Sequence, residues 1–308
     1  MPESGMFDDI QVIGAMPPSK AAEKLREVGE VVLAESLEPK DERGQPIPYR
    51  SAGWWPFQDQ PWQHTAHAFG YLAPVPPGSA AQPILHAGNI DPDPTLRRAR
   101  VRVTLDALRV AKYPGGGAHR ILFDFFARNQ PGGIVENLHF TATYRVRDGE
   151  RAALIGYPIF VGLNVGNEGM DFRCFTVNVK NENDEKILAI LESDTFKAGM
   201  RLASVAQPIV GMFSDLAVGL TKLIAKRNRN VPVQDFYMGL DFTNIGMRAR
   251  LAEGSYIAVQ IPESSLAVWD WSEWVYDPAN GQLVHRTESA KLIPYNYIVF
   301  GVSRYRED

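Results

Sequence analysis

Val101-Arg-Val-Thr-Leu-Asp-Ala-Leu108 and Arg120-Ile-Leu-Phe-Asp-Phe-Phe-Ala127 open a series of short apolar runs that decides the fold class. Leu138-His-Phe-Thr-Ala-Thr-Tyr144 comes next, then runs at 152–165 and 172–179. Gly, Pro, Asn or Asp bounds each one. Strands at a spacing of roughly 8–20 residues with turn signals between them are the pattern of an antiparallel sandwich. The turns are Tyr113-Pro-Gly-Gly-Gly117, Gln130-Pro-Gly-Gly133, Arg147-Asp-Gly-Glu150 and Asn167-Glu-Gly169. Asp-Gly supplies the positive φ angles of a two-residue turn, so 147–150 reads as a hairpin.

Outward from this block the period changes. Residues 20–36 carry Ala22, Leu25, Val28 and Val32 at helical spacing, and Ser19 stands at the cap position. The spacing predicts an N-terminal helix. After residue 181 the pattern is helical again. Asn183 reads as a cap with Ile187, Leu188 and Leu191 behind it. A second helical stretch over 195–227 should be divided by Pro208. Its second half has a stripe of Ile209, Phe213, Leu216, Leu220 and Leu223. Strands resume at 236–243 and 248–261. Trp269, Trp271 and Val275 share a strand parity, Asn280-Gly281 marks a hairpin, and 292–305 supplies a last strand.

The expected fold is mainly β, a β-rich α+β chain. It is an antiparallel β-sandwich with an N-terminal helix and a helical insertion at about 183–230. In outline it resembles C2-like sandwiches, a likeness of architecture that implies no function. Two parts are expected: residues 1–95, holding the N-terminal helix and a wrapping segment rich in aromatics and proline, and residues 96–308, holding the sandwich.

Composition narrows the function. The chain has 308 residues, 45% hydrophobic and 22% charged, and a formal net charge of −4, which suits a globular protein and offers no basic footprint for nucleic acid. The single cysteine, Cys174, cannot staple a fold, so a reducing compartment is expected. The N-terminus has no apolar signal region, and no apolar run reaches the length of a membrane span. A soluble cytoplasmic protein is the expectation.

All six tryptophans fall in two segments: Trp54, Trp55 and Trp62, then Trp269, Trp271 and Trp274. If the chain ends meet they form one aromatic patch, with Gln58, Asp59, Gln60, Asp270 and Glu273 beside it. Such rings anchor protein partners or stack on sugars. The competing reading, favoured by the usual burial of aromatics, is that they staple the N-terminal segment down. His64-x-x-His67 has no third ligand placed by spacing, so zinc is not expected. The run Asn181-Glu-Asn-Asp-Glu185, which Asp106, Asp124 or Asp241 could join from neighbouring loops, lacks the glycine of a calcium loop, and helix capping accounts for Asn183, Asp184 and Glu185 without a metal. The 200–230 stretch has the amphipathic look of a membrane-surface helix, although such stripes more often face a core. Ser204, Ser214 and Ser255 lack a nucleophile-elbow setting, and the glycines at 115–117 join strands, so they make a turn and no phosphate cradle.

The leading expectation is a non-enzymatic interaction or adaptor protein that shows the six tryptophans to a protein partner. A small molecule or glycan is the alternative ligand, through a tryptophan-lined groove. A membrane-acting effector using the 200–230 helix is the third. No metal, cofactor or nucleic acid is expected.

Overall fold

Each apolar run becomes the centre of a longer strand, because ladder hydrogen bonds extend pairing past the residues whose burial drives it. In the computed structural model these strands are β4 (Arg100–Arg109), β5 (Ala118–Asn129), β6 (Glu136–Arg147), β7 (Tyr157–Asn164) and β8 (Gly169–Asn178). The structure describes residues 7–38, 60–74, 76, 79–152, 154, 156–193, 200–202, 208–243, 249–278 and 280–306. Before this block lie β1 (Ala66–Leu72), β2 (Gln82–Pro83) and β3 (Leu85–His86). After it come β9 (Met200–Arg201), β10 (Val231–Asp241), β11 (Ala249–Arg250), β12 (Gly254–Ile261), β13 (Trp274–Asp277), β14 (Gln282–His285) and β15 (Tyr297–Arg304). The fold is β-rich α+β, and most strand pairs are antiparallel.

The large sheet runs β3-β1-β12-β15-β4-β7-β9, the second sheet β11-β10-β8-β5-β6, and a small sheet β14-β13-β2. The first two face each other across the main core. Phe125 of the second sheet meets Phe160 and Phe300 of the large one, with ring centroids 6.3 and 5.5 Å apart. All three rings are fully buried, each contributing about 1.5–3 kcal/mol.

The second sheet is covered on both faces. Ile121, Phe123 and Phe125 point into the core, while Leu122, Phe175 and Val177 point outward under Phe7, Ile10 and the helical insertion. This double burial is why 120–127 is a continuous apolar run and lacks simple alternation. Residues 66–72 are part of the same architecture: β1 pairs with β12 along seven residues inside the large sheet.

Helix α1 (Pro18–Glu27) starts on Pro18, and a break at Gly29 (φ 86°) separates it from α2 (Val31–Ser36). The single helix expected over 20–36 is therefore two. Helix α3 (Glu185–Leu191) and helix α4 (Pro208–Ala225) form the insertion. The side chain that caps the preceding turn is Asn181, which accepts from the Asn183 N–H at 2.9 Å.

The Asp-Gly turn is not a hairpin. It carries the chain from β6 in one sheet towards β7 in the other, and Tyr113-Pro-Gly-Gly-Gly117 crosses the same way from β4 to β5. Two half-buried anchors hold this pair of corners. Asp148 accepts from the Tyr113 and Gly117 N–H groups, both at 3.2 Å, and pairs with Lys112 and His119. Lys180 donates to the carbonyls of Gly115, Gly116 and Ala118. The Gly115 N–H donates to Glu30 Oε1 at 3.1 Å, so the N–H groups of Gly115 and Gly117 are both occupied, which agrees with a turn. The Asn280-Gly281 turn does close a hairpin, β13–β14.

A polar chain crosses the core. His67 Nε2 lies 3.4 Å from Gln234 Oε1, Gln234 Nε2 donates to the Tyr113 hydroxyl at 2.7 Å, and that hydroxyl meets Thr176 Oγ1 at 3.1 Å. Desolvation lowers the His67 pKa to about 4. An unfolded histidine titrates near 6.5, so between about pH 6.5 and 4 the unfolded chain binds the proton that the native chain refuses. Stability should fall across that window as pH drops, by up to about 3 kcal/mol. His67→Gln, which keeps a partner for Gln234, should flatten this part of a urea-midpoint-against-pH profile. An unchanged slope would put the proton elsewhere.

Candidate functional site

The outer face of the large sheet carries a notch. Ser255 of β12, Gly301 of β15 and Thr104 of β4 pair in one row across three strands. Two residues further along β4 the register slips: Val299 faces Ala107, but Phe300 faces Leu105. Asp106 is the extra residue of a β-bulge. The inward positions Val101, Val103 and Leu105 therefore resume at Leu108 and Val110. Bulges re-aim side chains, and this one lays the Asp106 carboxylate over Gly301. A Cβ built on Gly301 would sit 2.7 Å from Asp106 Oδ2 and 2.6 Å from Thr104 Oγ1. Only the missing side chain makes room for the carboxylate.

Thr104 Oγ1 donates to Asp106 Oδ1 at 2.7 Å, and Ser255 Oγ donates to Oδ2 at 2.9 Å. Desolvation raises the Asp106 pKa, and the two hydroxyl donors oppose that rise. An ionised carboxylate has about four acceptor positions, and these donors fill two.

The notch opens into a cleft of about 550 Å³ between the large and small sheets. Ala107, Ile257, Val299 and Tyr297 form its floor, and Tyr276, Leu283 and the 278–281 turn form its roof. Arg151 stands at one end. Its guanidinium donates to the carbonyls of Gly281 and Asn280, so it is committed to holding the roof turn. Beyond it an adjoining cavity of about 390 Å³ reaches Arg109, which is likewise committed, to the carbonyls of Ile293 and Tyr295. An apolar cleft with a few convergent polar groups and one desolvated acid is the usual form of a small-molecule site.

Among the described residues, Trp271 and Trp274 support this cleft without lining it. Trp271 and Trp274, 4% and 6% exposed, clamp the small sheet onto Ala68, Ile257, Val259 and Ile261. Trp271 lies flat where Gly70 has no side chain: a Cβ there would come within 2.9 Å of its ring. Trp269 is half-buried and stacks on Trp274 at 6.1 Å. The strand expected through 269–275 begins only at Trp274, because residues Trp271–Glu273 form a 3-10 turn. Trp62 is 1% exposed and belongs to the main core, so the structure groups Trp269, Trp271 and Trp274 and sets Trp62 apart. Trp54, Trp55 and Asp59 lie outside the described residues.

Other candidates take structural roles. Buried Asp124 receives His139 Nδ1 at 2.9 Å, Thr141 Oγ1 at 2.8 Å and Thr221 Oγ1 at 3.1 Å. Ser214 accepts from the backbone N–H of His139 and does not meet its ring, so the three residues do not form a nucleophile-and-base pair. Asp184 is fully buried against Arg227 and Asn230. Burial pushes the Cys174 thiol up, as an inert core thiol requires. Among the described residues no three His, Cys, Asp or Glu side chains gather as a metal site, and no helix is long and apolar enough to cross a membrane.

The sequence offered Asp106 only as an extra carboxylate for a disfavoured calcium site and missed its place at the cleft. Its signal was present in Leu105-Asp-Ala-Leu108, where two inward leucines stand three apart and an alternating strand would place them two apart. No protein-family model, curated protein or solved structure matches this chain.

Gly301→Ala should displace the Asp106 carboxylate and cost about 1–3 kcal/mol in urea unfolding, as overpacking does. In a Thr104→Ala, Asp106→Ala background, Gly301→Ala should add little further cost relative to that pair; an undiminished cost would mean that the glycine serves something other than these two side chains.

Proposed function

We propose that this chain is a non-enzymatic binding protein whose cleft takes a small organic cation, an amine on an apolar body. One observation carries the reading. Asp106 is a desolvated carboxylate held by two neutral hydroxyls, and no cationic side chain pairs with it among the described residues. The nearest guanidinium in the lining, Arg151, is bound to carbonyls. Asp106 is half-buried, and a charge drawn partly out of water without a counter-ion is costly. An ammonium group supplies both the charge and the donors for the remaining lone pairs, while the apolar floor receives the body of the ligand. The interaction-protein class expected from the sequence is kept, with the contact moved from the tryptophans, three of which are largely buried, to the cleft beside them. A neutral glycan in the same cleft is the second reading, supported by the half-buried Tyr276 ring in its roof.

Calorimetric titration with a panel of aryl and alkyl amines and neutral oligosaccharides decides between them. Amines should bind and Asp106→Asn should weaken them by roughly ten- to a hundredfold, the worth of a hydrogen bond to a charged group. Because only the ionised carboxylate attracts the cation, affinity should also decline as pH falls through the raised Asp106 pKa. Sugar binding that Asp106→Asn leaves at the same pH dependence would favour the glycan. No response from either set would remove the cleft as a site.

A further inference from the structure

Helix α4 packs on β6 and β5 with its small side chains. Ser214, Ala217 and Thr221 are buried, and Ile224 and Ala225 join them at the end. Val210 is buried too, and Val218 and Leu220 pack partly inward, but three large apolar side chains face out: Met212 is 70% exposed, Leu216 47% and Leu223 46%. This arrangement is inverted relative to a core-facing helix. The exposed positions Met212, Leu216, Gly219 and Leu223 follow one another at four, three and four residues. That is the spacing of a coiled-coil seam, and it lies opposite the face that rests on the sheet. A Cβ on Gly219 would meet nothing within 4 Å, so another backbone can approach the middle of the seam.

We infer that α4 is the contact surface of a two-fold dimer in which two copies of this helix pack antiparallel. Charge selects this occupant. Asp215 and Lys222 stand seven residues apart, on the same edge of the seam; neither makes a direct ion pair among the described residues, and Asp9, which feels the Lys222 charge, is itself paired with Lys226. A two-fold antiparallel pairing sets Asp215 of each copy beside Lys222 of the other, giving two complementary contacts from one surface, as an isologous interface requires. An anionic lipid surface lacks this match, because Asp215 would be pressed into it beside Leu216.

Sedimentation equilibrium with charge reversals tests the pairing. The unmodified chain should be a dimer. Asp215→Lys and Lys222→Asp should each raise the dissociation constant by roughly tenfold or more, because each creates two like-charge contacts. The double reversal should restore the dimer, since it only exchanges the partners. Both positions lie outside the core, and circular dichroism checks that the variants are folded. The inference is overturned if the unmodified chain is monomeric at about 100 μM, or if the dimer ignores the single reversals. It is equally overturned if the double reversal stays as weak as the singles. Flotation of a monomeric chain with phosphatidylserine vesicles would overturn it in favour of a lipid surface.

Discussion

A carboxylate can stay inside a protein only where donors converge on it, and four such groups organise this chain. Asp124 ties α4 to the second sheet through Thr221 and to β6 through His139 and Thr141. Asp184 ties the insertion back onto the chain that leaves it, through Arg227 and Asn230. Asp148 folds two sheet-to-sheet corners around itself. In these three a cation, an imidazole or an amide shares the carboxylate. Asp106 differs: its donors are two hydroxyls, and it faces a cleft. The same constraint that makes the other three structural is the ground on which we propose this one as a ligand group.

The constraint also accounts for the inversion of α4. The sheet beneath it presents Asp124, His139 and Thr141, so the helix must offer hydroxyls and small residues there: Ser214, Ala217, Thr221. Leucines on that face would leave Asp124 short of a donor and would hold the helix too far off. The large side chains are left on the other face. A stripe of Leu216 and Leu223 read as helical periodicity reports that one face is apolar; it does not report which face the sheet takes.

The tryptophans show a related limit. Their segregation into two short segments is plain in the sequence, but a flat ring can serve as a staple or as a platform. Gly70 decides for Trp271, since a strand residue without a side chain, 201 positions away in the chain, leaves the slot the ring fills. Asp106 was hidden for a similar reason. A bulge appears in sequence as a three-residue step between inward leucines, and whether the released side chain meets solvent, a partner or a cleft depends on strands β12 and β15, some 150 and 195 residues later.

Period-two and doubly apolar runs, turn glycines and the change to helical spacing after residue 181 determined a β-rich chain with two faces of one sheet buried and a helical insertion. These are local signals, because pleat and helix pitch are set within a few residues. The tertiary structure alone decided which sheet each strand joins and that Asp148–Gly149 turns a corner between sheets. It alone also decided that α4 shows Leu216 and Leu223 outward and that Asp106, Gly301 and Ser255 meet. Those outcomes rest on contacts between residues far apart in the chain, where burial, register and the need to satisfy a carboxylate are settled jointly by strands that a local window never contains together.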